Sequence, residues 1–284
     1  MFAFFWVRRP LSSSRARFSA DGVELIVSLT TYPARVSSVA VTLRSLLMQS
    51  QEIERIILVL SEQEFPEGAT GLPRPLQRLT RSAKVELLFT PDNTRSFKKL
   101  LPVARANPDA IIITADDDVI YTRNWAKNLM DAHRKFPAVV VGTRGSRIVV
   151  NERSAEPYGS WAACVPDVPS HQVFLTGRGG ILYPPHGLSP EVQNWAVASR
   201  LCSSTDDIWF KAMATLAGTK AVAIDVGRDY PSSGATQHGA LYTTNVDTTA
   251  LNDIAFKLVL DEYDLWRHFQ PPLTQNVEKR QGIG

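Results

Sequence analysis

Between Val23 and Ala115, four short runs of branched apolar residues alternate with stretches whose apolar residues recur every three or four positions. Val23-Glu-Leu-Ile-Val-Ser-Leu-Thr30, Arg55-Ile-Ile-Leu-Val-Leu60, Lys84-Val-Glu-Leu-Leu-Phe89 and Ala110-Ile-Ile-Ile-Thr-Ala115 read as strands. After the first, Val36, Val39, Ala40, Leu43, Leu46 and Leu47 mark one face of a helix. Pro66, Gly68, Gly71 and Pro73 mark a loop around a short helix. Ser96 to Ala106 reads as a helix stopped by Pro108, Asn124 to Phe136 as another, and Ala138 to Thr143 as a further strand. Such alternation builds parallel sheets, because a parallel pair needs a crossover long enough to hold a helix. The fourth run is apolar but for one hydroxyl, as expected of a central strand covered on both faces. The expected class is α/β: a mostly parallel sheet flanked by helices, with an elaborated C-terminal half. Beyond Arg144 the periodicity gives way to prolines, glycines and aromatics.

Composition removes other classes. With 44% hydrophobic and 21% charged residues, the 284-residue chain is neither disordered, nor a collagen, nor a coiled-coil rod. Lys and Arg number 31 against 28 acids, a net charge of +3, so nucleic acid is not expected as a partner. Cys164 and Cys202 lie far apart without metal-ligand spacing, which excludes a cysteine zinc site and fits a reducing compartment, the cytoplasm. No run approaches the roughly 20 apolar residues of a membrane-spanning helix. Residues 1–20 read as a separate arm: an apolar opening to Val7, then four arginines, four serines and no acid across the segment. Its apolar-then-basic order reverses that of a secretory signal, and its composition, which matches a transit peptide, is read as a disordered arm or an interfacial one in peripheral contact with a membrane. Residues 21–230 then form the main domain, and 231–284 an extension packed on it.

Asp116-Asp117-Asp118 follows directly on the fourth strand. In open α/β sheets, ligands bind beyond the carboxyl ends of the strands, where this triplet falls. Adjacent carboxylates repel unless a cation or donors compensate, and hard oxygen ligands suit Mg²⁺ or Mn²⁺ bridged to a diphosphate. The plain alternative is a solvated acidic turn before a helix.

Val27-Ser-Leu-Thr-Thr-Tyr-Pro-Ala-Arg-Val36, Phe97-Lys-Lys-Leu100, Ile112-Ile-Thr-Ala-Asp-Asp-Asp-Val119 and Thr205-Asp-Asp-Ile-Trp209 together resemble bacterial GT-A-fold glycosyltransferases. These belong to the large inverting family that builds surface polysaccharides. The resemblance spans about Val23 to Gly218. It implies a Rossmann-like GT-A catalytic domain, a nucleotide-sugar donor (uridine diphosphate most often), a divalent metal, and transfer of a hexosyl group to a hydroxyl of a glycan or lipid-linked acceptor. Carried onto this chain, it makes Asp118 a metal ligand and sets Asp116 at the ribose or in the metal shell. Thr30, Thr31, Tyr32 and Arg35 would lie against the nucleotide, with Asp117 beside them, Asp92 at the base and Lys98 near the donor. Arg35 has an alternative in pairing at the helix start, and Lys98 and Lys99 in a solvated face. A late histidine often joins the cation in this fold, which makes His238 a candidate; an exposed loop histidine is the alternative.

Ser204-Thr205-Asp206-Asp207 opens a helix expected over Ile208 to Ala217. Acids in a first turn favour the helix dipole, and Asp207 could pair with Lys211 at i,i+4. The functional reading is a base, because an attacking hydroxyl is a poor nucleophile until a carboxylate takes its proton. The family motif points to Asp207, whereas a helical wheel sets Asp206 nearer the apolar stripe of Trp209 and Met213. Gly177, Gly179 and Gly180 permit close approach of a sugar or phosphate, or simply a tight turn. Tyr158 and Trp161 can stack on an acceptor or pack in the core. Two other functions stay in play. A sugar-nucleotide nucleotidyltransferase would carry a Gly-rich, Arg-containing loop where this chain has Thr-Tyr-Pro, and a non-catalytic carbohydrate-binding protein would need neither acidic pair nor metal.

Overall fold

The structure, a computed structural model, describes residues 22–227 and 248–270. Its first half runs β1 (Leu25–Thr30), α1 (Val39–Leu47), β2 (Arg55–Ser61), α2 (Arg74–Leu79), β3 (Val85–Thr90), α3 (Leu101–Ala106), β4 (Ile111–Ala115), α4 (Trp125–Lys135) and β5 (Val140–Gly142). Then follow β6 (Gly145–Arg147), β7 (Val150–Asn151), β8 (Ser154–Ala155), β9 (Val173–Leu175), β10 (Ile181–Tyr183), α5 (Trp195–Leu201), α6 (Asp206–Leu216), β11 (Ala221–Ala223), α7 (Thr248–Glu262) and α8 (Trp266–Phe269).

Seven strands form one sheet in the order β11-β5-β10-β4-β1-β2-β3. Neighbours are parallel except at β10, which is antiparallel to both β4 and β5. The fold is therefore the expected α/β sheet, mostly parallel and flanked by helices. Two strands of the second half, β6 and β9, pair as a separate ribbon, and β7 with β8 as another.

Alternation along β1 splits the core. Leu25, Val27 and Leu29 pack with Val39, Leu43 and Leu46 of α1 and with Trp125 and Leu129 of α4. Ile26 faces the other layer, with Phe97, Val103 of α3, and Phe210 and Met213 of α6. Burying one such side chain is worth about 1.5–3 kcal/mol, and a one-residue slip would turn every one of them to the wrong face. The register Val27↔Ile113 and Val27↔Ile56 is thereby fixed, and with it the place where each strand ends.

The helix expected over Ser96 to Ala106 divides into a 3₁₀ turn, Arg95–Lys99, and α3. Pro102 is the cause: it has no N–H, and its ring excludes the carbonyl four residues back, so α-helix can begin only at Leu101. The strand at Ala138 to Thr143 shortens to Val140–Gly142, and the helix expected from Ile208 starts at Asp206. Within the C-terminal extension, Phe256, Val259 and Leu260 of α7 and Trp266 and Phe269 of α8 are buried in the same layer as Trp209 of α6. Among the described residues no helix is long and apolar enough to cross a membrane. Both cysteines are free thiols.

Candidate functional site

The carboxyl ends of β1 and β4, the start of the reversed strand β10 and the first turn of α6 share one edge of the sheet. The three aspartates leaving β4 divide there. Asp117 turns inward: Thr31 Oγ1 donates to its Oδ2 at 2.6 Å and Arg35 Nη1 to its Oδ1 at 3.0 Å. Its carbonyl accepts from Thr42 Oγ1 at 2.9 Å. The middle aspartate thus ties the β4 loop to β1 and α1. Arg35 Nη1 also lies 3.2 Å from Asp118 Oδ2. Burial pushes the Asp117 carboxyl up despite the Thr31 hydroxyl and Arg35, and pushes Asp118 up against the pull of Arg35. Asp116 is oriented by its backbone, whose N–H donates to the buried Tyr121 hydroxyl at 2.8 Å. Its Oδ1 stands 3.4 Å from Lys99 Nζ.

Lys99 ends the 3₁₀ turn after β3 and is 6% exposed. Its ammonium bridges to α6, 3.0 Å from Asp206 Oδ2. Burial alone would lower its pKa, but Asp206, Asp116 and Asp207 outweigh burial and hold it well above the ordinary lysine value. Asp207, the next residue, accepts the Gly177 N–H on Oδ2 at 3.0 Å. Its Oδ1 is buried and takes no hydrogen bond. A Cβ placed on Gly177 would lie 3.1 Å from Lys99 Nζ, 3.3 Å from Asp207 Oδ1 and 3.6 Å from Asp116 Oδ1. The three groups therefore converge on one point that a glycine leaves clear. Burial, and then the Asp206 charge, raise the Asp207 carboxyl from 3.8 to about 7 against Lys99 and the Gly177 N–H. A carboxylate fixed by one oxygen, open at the other and half ionised near neutrality has the form of a general base.

Several expectations are corrected by geometry. Asp206 and Asp207 do more than favour a helix dipole, since both reach across the fold; the i,i+4 pair of Asp207 with Lys211 is not formed, and Lys211 Nζ is buried without a hydrogen-bond partner. Neither Lys98 nor Lys99 is on a solvated face. Lys98 turns to Glu64 Oε2 at 2.7 Å and Asn93 Oδ1 at 2.6 Å, so the lysine brought to the acids is Lys99. What Gly179 and Gly180 approach closely is protein: the Gly179 carbonyl accepts from Trp125 Nε1 and Thr143 Oγ1, and Gly180, at φ +87°, lies under the Trp125 ring. Trp161 packs in the core with Tyr158, Phe174 and Phe256 and donates from Nε1 to the Glu156 carbonyl. Of the remaining candidates, Thr30 Oγ1 donates to the Val59 carbonyl at 2.8 Å, Tyr32 lies 5.5 Å beneath the Arg35 guanidinium, and Asp92 is exposed after β3. His238 lies outside the described residues.

Tyr121 and the site-facing role of Lys99 were missed by sequence reasoning, as was Arg178, whose charge acts on Asp118; Gly177 reads as a point of close approach or a tight turn, without its N–H on Asp207. A 3₁₀ turn advances about 120° per residue, so adjacent lysines point apart, and nothing in Lys-Lys says which one faces inward. Arg178 does have a signal, a lone cation inside the Gly-rich run.

Among the described residues no three His, Cys, Asp or Glu side chains gather so as to hold a metal ion. Asp116 and Asp118 remain as partly exposed oxygen donors two positions apart, of the hard kind that Mg²⁺ or Mn²⁺ takes. Burial is the first cause of the raised carboxyls of Asp117, Asp118 and Asp207, so they do not mark a cation site by themselves, and Arg35 and Lys99 already contact Asp118 and Asp116.

No protein-family model and no curated protein matches the chain. Among solved structures, residues 1–349 of S. aureus TarS are similar at a TM-score of 0.47 and 14% identity, over 74% of this chain and 60% of that one. The same fragment in complex with UDP gives 0.47 and 10% over 73% and 60%. A longer S. aureus TarS structure gives 0.46 and 11% over 74% and 37%. The chain thus spans 60% or less of each of these structures, and similarity of this degree assigns no residue a role.

Proposed function

We propose that this protein is a glycosyltransferase that moves a hexosyl group from a nucleoside-diphosphate sugar, most naturally a UDP-sugar, to an acceptor hydroxyl with inversion. The observation that carries the reading is Asp207: a buried carboxyl with one oxygen fixed by Gly177 N–H, the other unpartnered, and a pKa near neutrality, at the ligand-binding edge of a parallel sheet. In this reading the acceptor oxygen attacks the anomeric carbon as Asp207 takes its proton, and the bond from that carbon to the diphosphate breaks on the opposite face. Asp206 is ion-paired with the Lys99 ammonium at 3.0 Å and so is the less available of the two acids, although its Oδ2, like Asp207 Oδ1, takes no hydrogen bond. Asp116 and Asp118 would hold Mn²⁺ or Mg²⁺, with His238 as a further candidate, and the ion would stabilise charge on the departing diphosphate. Thr31, Arg35 and Asp117 brace the loop that carries these donors. The acceptor is a glycan or a lipid-linked sugar, and contact with a membrane belongs to residues 1–20, outside the described residues.

Calorimetric titration with UDP, with and without Mn²⁺, tests the donor site, and turnover of UDP-sugars tests the chemistry. Asp207→Asn is expected to bind UDP within about threefold of the unaltered protein while losing at least a hundredfold in turnover, the scale on which general-base catalysis acts. Silence with every nucleoside diphosphate would instead favour a carbohydrate-binding protein.

A further inference from the structure

Lys211 lies in the middle of α6, 7% exposed, and its Nζ makes no hydrogen bond among the described residues. The ammonium stands over the Phe269 ring of α8, 5.5 Å from its centroid. Beside Phe269, the His268 ring meets the His171 ring edge-on at 5.5 Å. Gln172 Nε2 holds the Phe269 carbonyl at 2.8 Å, and the antiparallel bridge between Ser170 and Ala221 sets Lys220 opposite His171. His171 Nδ1 is buried and, like Lys211 Nζ, has no hydrogen-bond partner. The charges that act on this group are all positive: Lys211, His268 and Lys220 on His171, and Arg267 on His268. Burial first, and then those cations, push His171 down from 6.5 to about 4, while burial alone brings Lys211 to about 7. Lys211 also borders a small cavity that reaches Asp207, one helical turn back, yet that carboxyl does nothing to offset its burial. Buried cations and buried N–H donors ordinarily have an acceptor. Two such nitrogens side by side, among cations and without an acid, fit an anionic oxygen.

We propose that Lys211, His171 and His268, with Lys220 at the rim, form a binding site for a small oxyanion of the phosphate or sulfate type, separate from the edge that carries the five aspartates. Lys211 Nζ and the Nδ1–H tautomer of His171 donate to its oxygens, and His268 and Lys220 add positive charge. The two imidazoles are half-buried and form the way in. Lys211 is so little exposed that the ligand is the free ion rather than a phosphate carried on a larger molecule. Once bound, the ion joins α8, through His268, to α6, through Lys211, and so clamps the C-terminal helices onto the helix that begins with Asp206 and Asp207. A negative ion raises the proton affinity of Lys211 and of both histidines, so it binds more tightly as pH falls. The site does not depend on the transferase reading, and either can fail without the other.

The test is calorimetric titration of sulfate, and separately of inorganic phosphate, into the full chain at an ionic strength held constant with chloride. The proteins compared are the unaltered chain, Lys211→Met and His171→Asn, with circular dichroism and the thermal midpoint as checks that each folds. The expected result is saturable binding of one ion by the unaltered chain, weakened about tenfold or more in Lys211→Met and about threefold or more in His171→Asn. Sulfate keeps its charge across the range, and it should bind about tenfold more tightly at pH 6 than at pH 8.5 as Lys211 takes up its proton. Glycerol 3-phosphate separates the two sources of the same chemistry: it should bind about tenfold or more weakly than phosphate, and equal binding overturns the assignment to a free ion. Absence of saturable binding by either ion, as would follow if a carboxylate of the chain itself met Lys211, overturns the site. Equal binding by a folded Lys211→Met, or sulfate binding that UDP abolishes, would place the ion at Arg35 and Lys99 instead and overturns it as well.

Discussion

Asp207→Asn separates the demands of catalysis from those of stability. The carboxyl moves from 3.8 to about 7 on folding, because burial and the neighbouring Asp206 disfavour its charge more than Lys99 and Gly177 N–H favour it. The folded chain thus binds this proton more tightly than the unfolded one. The associated stability is fully present below about pH 4, where both states are protonated, and is lost as pH rises through about 7. At about 1.4 kcal/mol per pH unit, the shift corresponds to about 4 kcal/mol at most. Relaxation around the new charge and entry of water leave about 2 kcal/mol as the working figure. Asparagine keeps the acceptor for Gly177 N–H and has nothing to ionise. Asp207→Asn should therefore raise the thermal midpoint by about 4–8 °C at pH 8, using about 2–4 °C per kcal/mol for a chain of this size. At pH 4 the two proteins should melt within about 2 °C of each other, because both side chains are then neutral. The assay is differential scanning calorimetry across pH 4–8 without ligand, so it needs no knowledge of the substrate. On the proposed reading the same variant should lose turnover, and in the unaltered protein kcat/KM should rise with pH through about 7 as Asp207 ionises. A variant that is less stable at pH 8, or equally stabilised at pH 4 and pH 8, refutes the account of Asp207 as a buried carboxyl strained by its charge.

Arg35→Met should lower unfolding free energy by about 3 kcal/mol in urea, because it strands the buried Asp117 carboxyl beside Asp118; a loss under about 1 kcal/mol would mean that Thr31 alone suffices. Lys211→Met should stabilise the protein, since burial with no hydrogen-bond partner, and only the Phe269 ring 5.5 Å away, depresses that ammonium from 10.5 to about 7. The folded state gives up this proton more readily than the unfolded one, so the penalty is full below about pH 7 and disappears toward pH 10.5. The expected gain is about 2 kcal/mol at pH 6, falling toward zero at pH 10, and a pH-independent difference would count against it. Gly180→Ala, with φ at +87° and a Cβ 2.4 Å from Trp125 Cζ2, should lose about 3 kcal/mol of stability. Gly177→Ala should instead melt within a few degrees of the unaltered protein but lose about tenfold or more in turnover, because its Cβ intrudes between Lys99 and Asp207. Equal effects of the two alanines on stability would argue against a site-facing Gly177.

The parts of the fold that sequence reveals are those with a repeated local signal. β1 to β4 announce themselves through branched apolar runs, and their parallel pairing follows from the helices between them. The strand β10 gives no such signal: three residues, Ile181–Tyr183, enter the sheet in reverse between β4 and β5, and three residues cannot establish a period. For the acids, position was legible and direction was not. The triplet Asp116–Asp118 lies at the sheet edge as its place after Ala115 implied, yet Asp117 is spent on Thr31 and Arg35, residues that became its neighbours only through the parallel pairing of β1 with β4. Likewise the helical wheel rightly put Asp206 on the more buried side of α6, but burial there means an ion pair with Lys99. Asp207 keeps an unpartnered oxygen because its other oxygen found Gly177 N–H, 30 residues earlier in the chain.

Asp116, Asp117, Asp118, Asp206 and Asp207 share this edge with two internal cations, Arg35 and Lys99, and with Arg178 acting on Asp118. Three of the five carboxyls are pushed above the ordinary range. A nucleoside diphosphate is itself an anion, so on its own it adds like charge to an edge already short of positive charge. On the proposed reading a divalent cation would reverse the balance, and Asp118 would change from a source of repulsion to a donor for the ion. Asp118→Asn should consequently act with opposite sign in the two conditions. In EDTA it should bind UDP as well as, or a few-fold tighter than, the unaltered protein, and in Mn²⁺ at least tenfold more weakly. A site that bound the diphosphate through its cations alone would show the first effect without the second. Weaker binding in both conditions would mean instead that Asp118 supports the fold of the loop, a role that the thermal midpoint of the variant would expose, since Arg35 retains Asp117 when Asp118 is neutral.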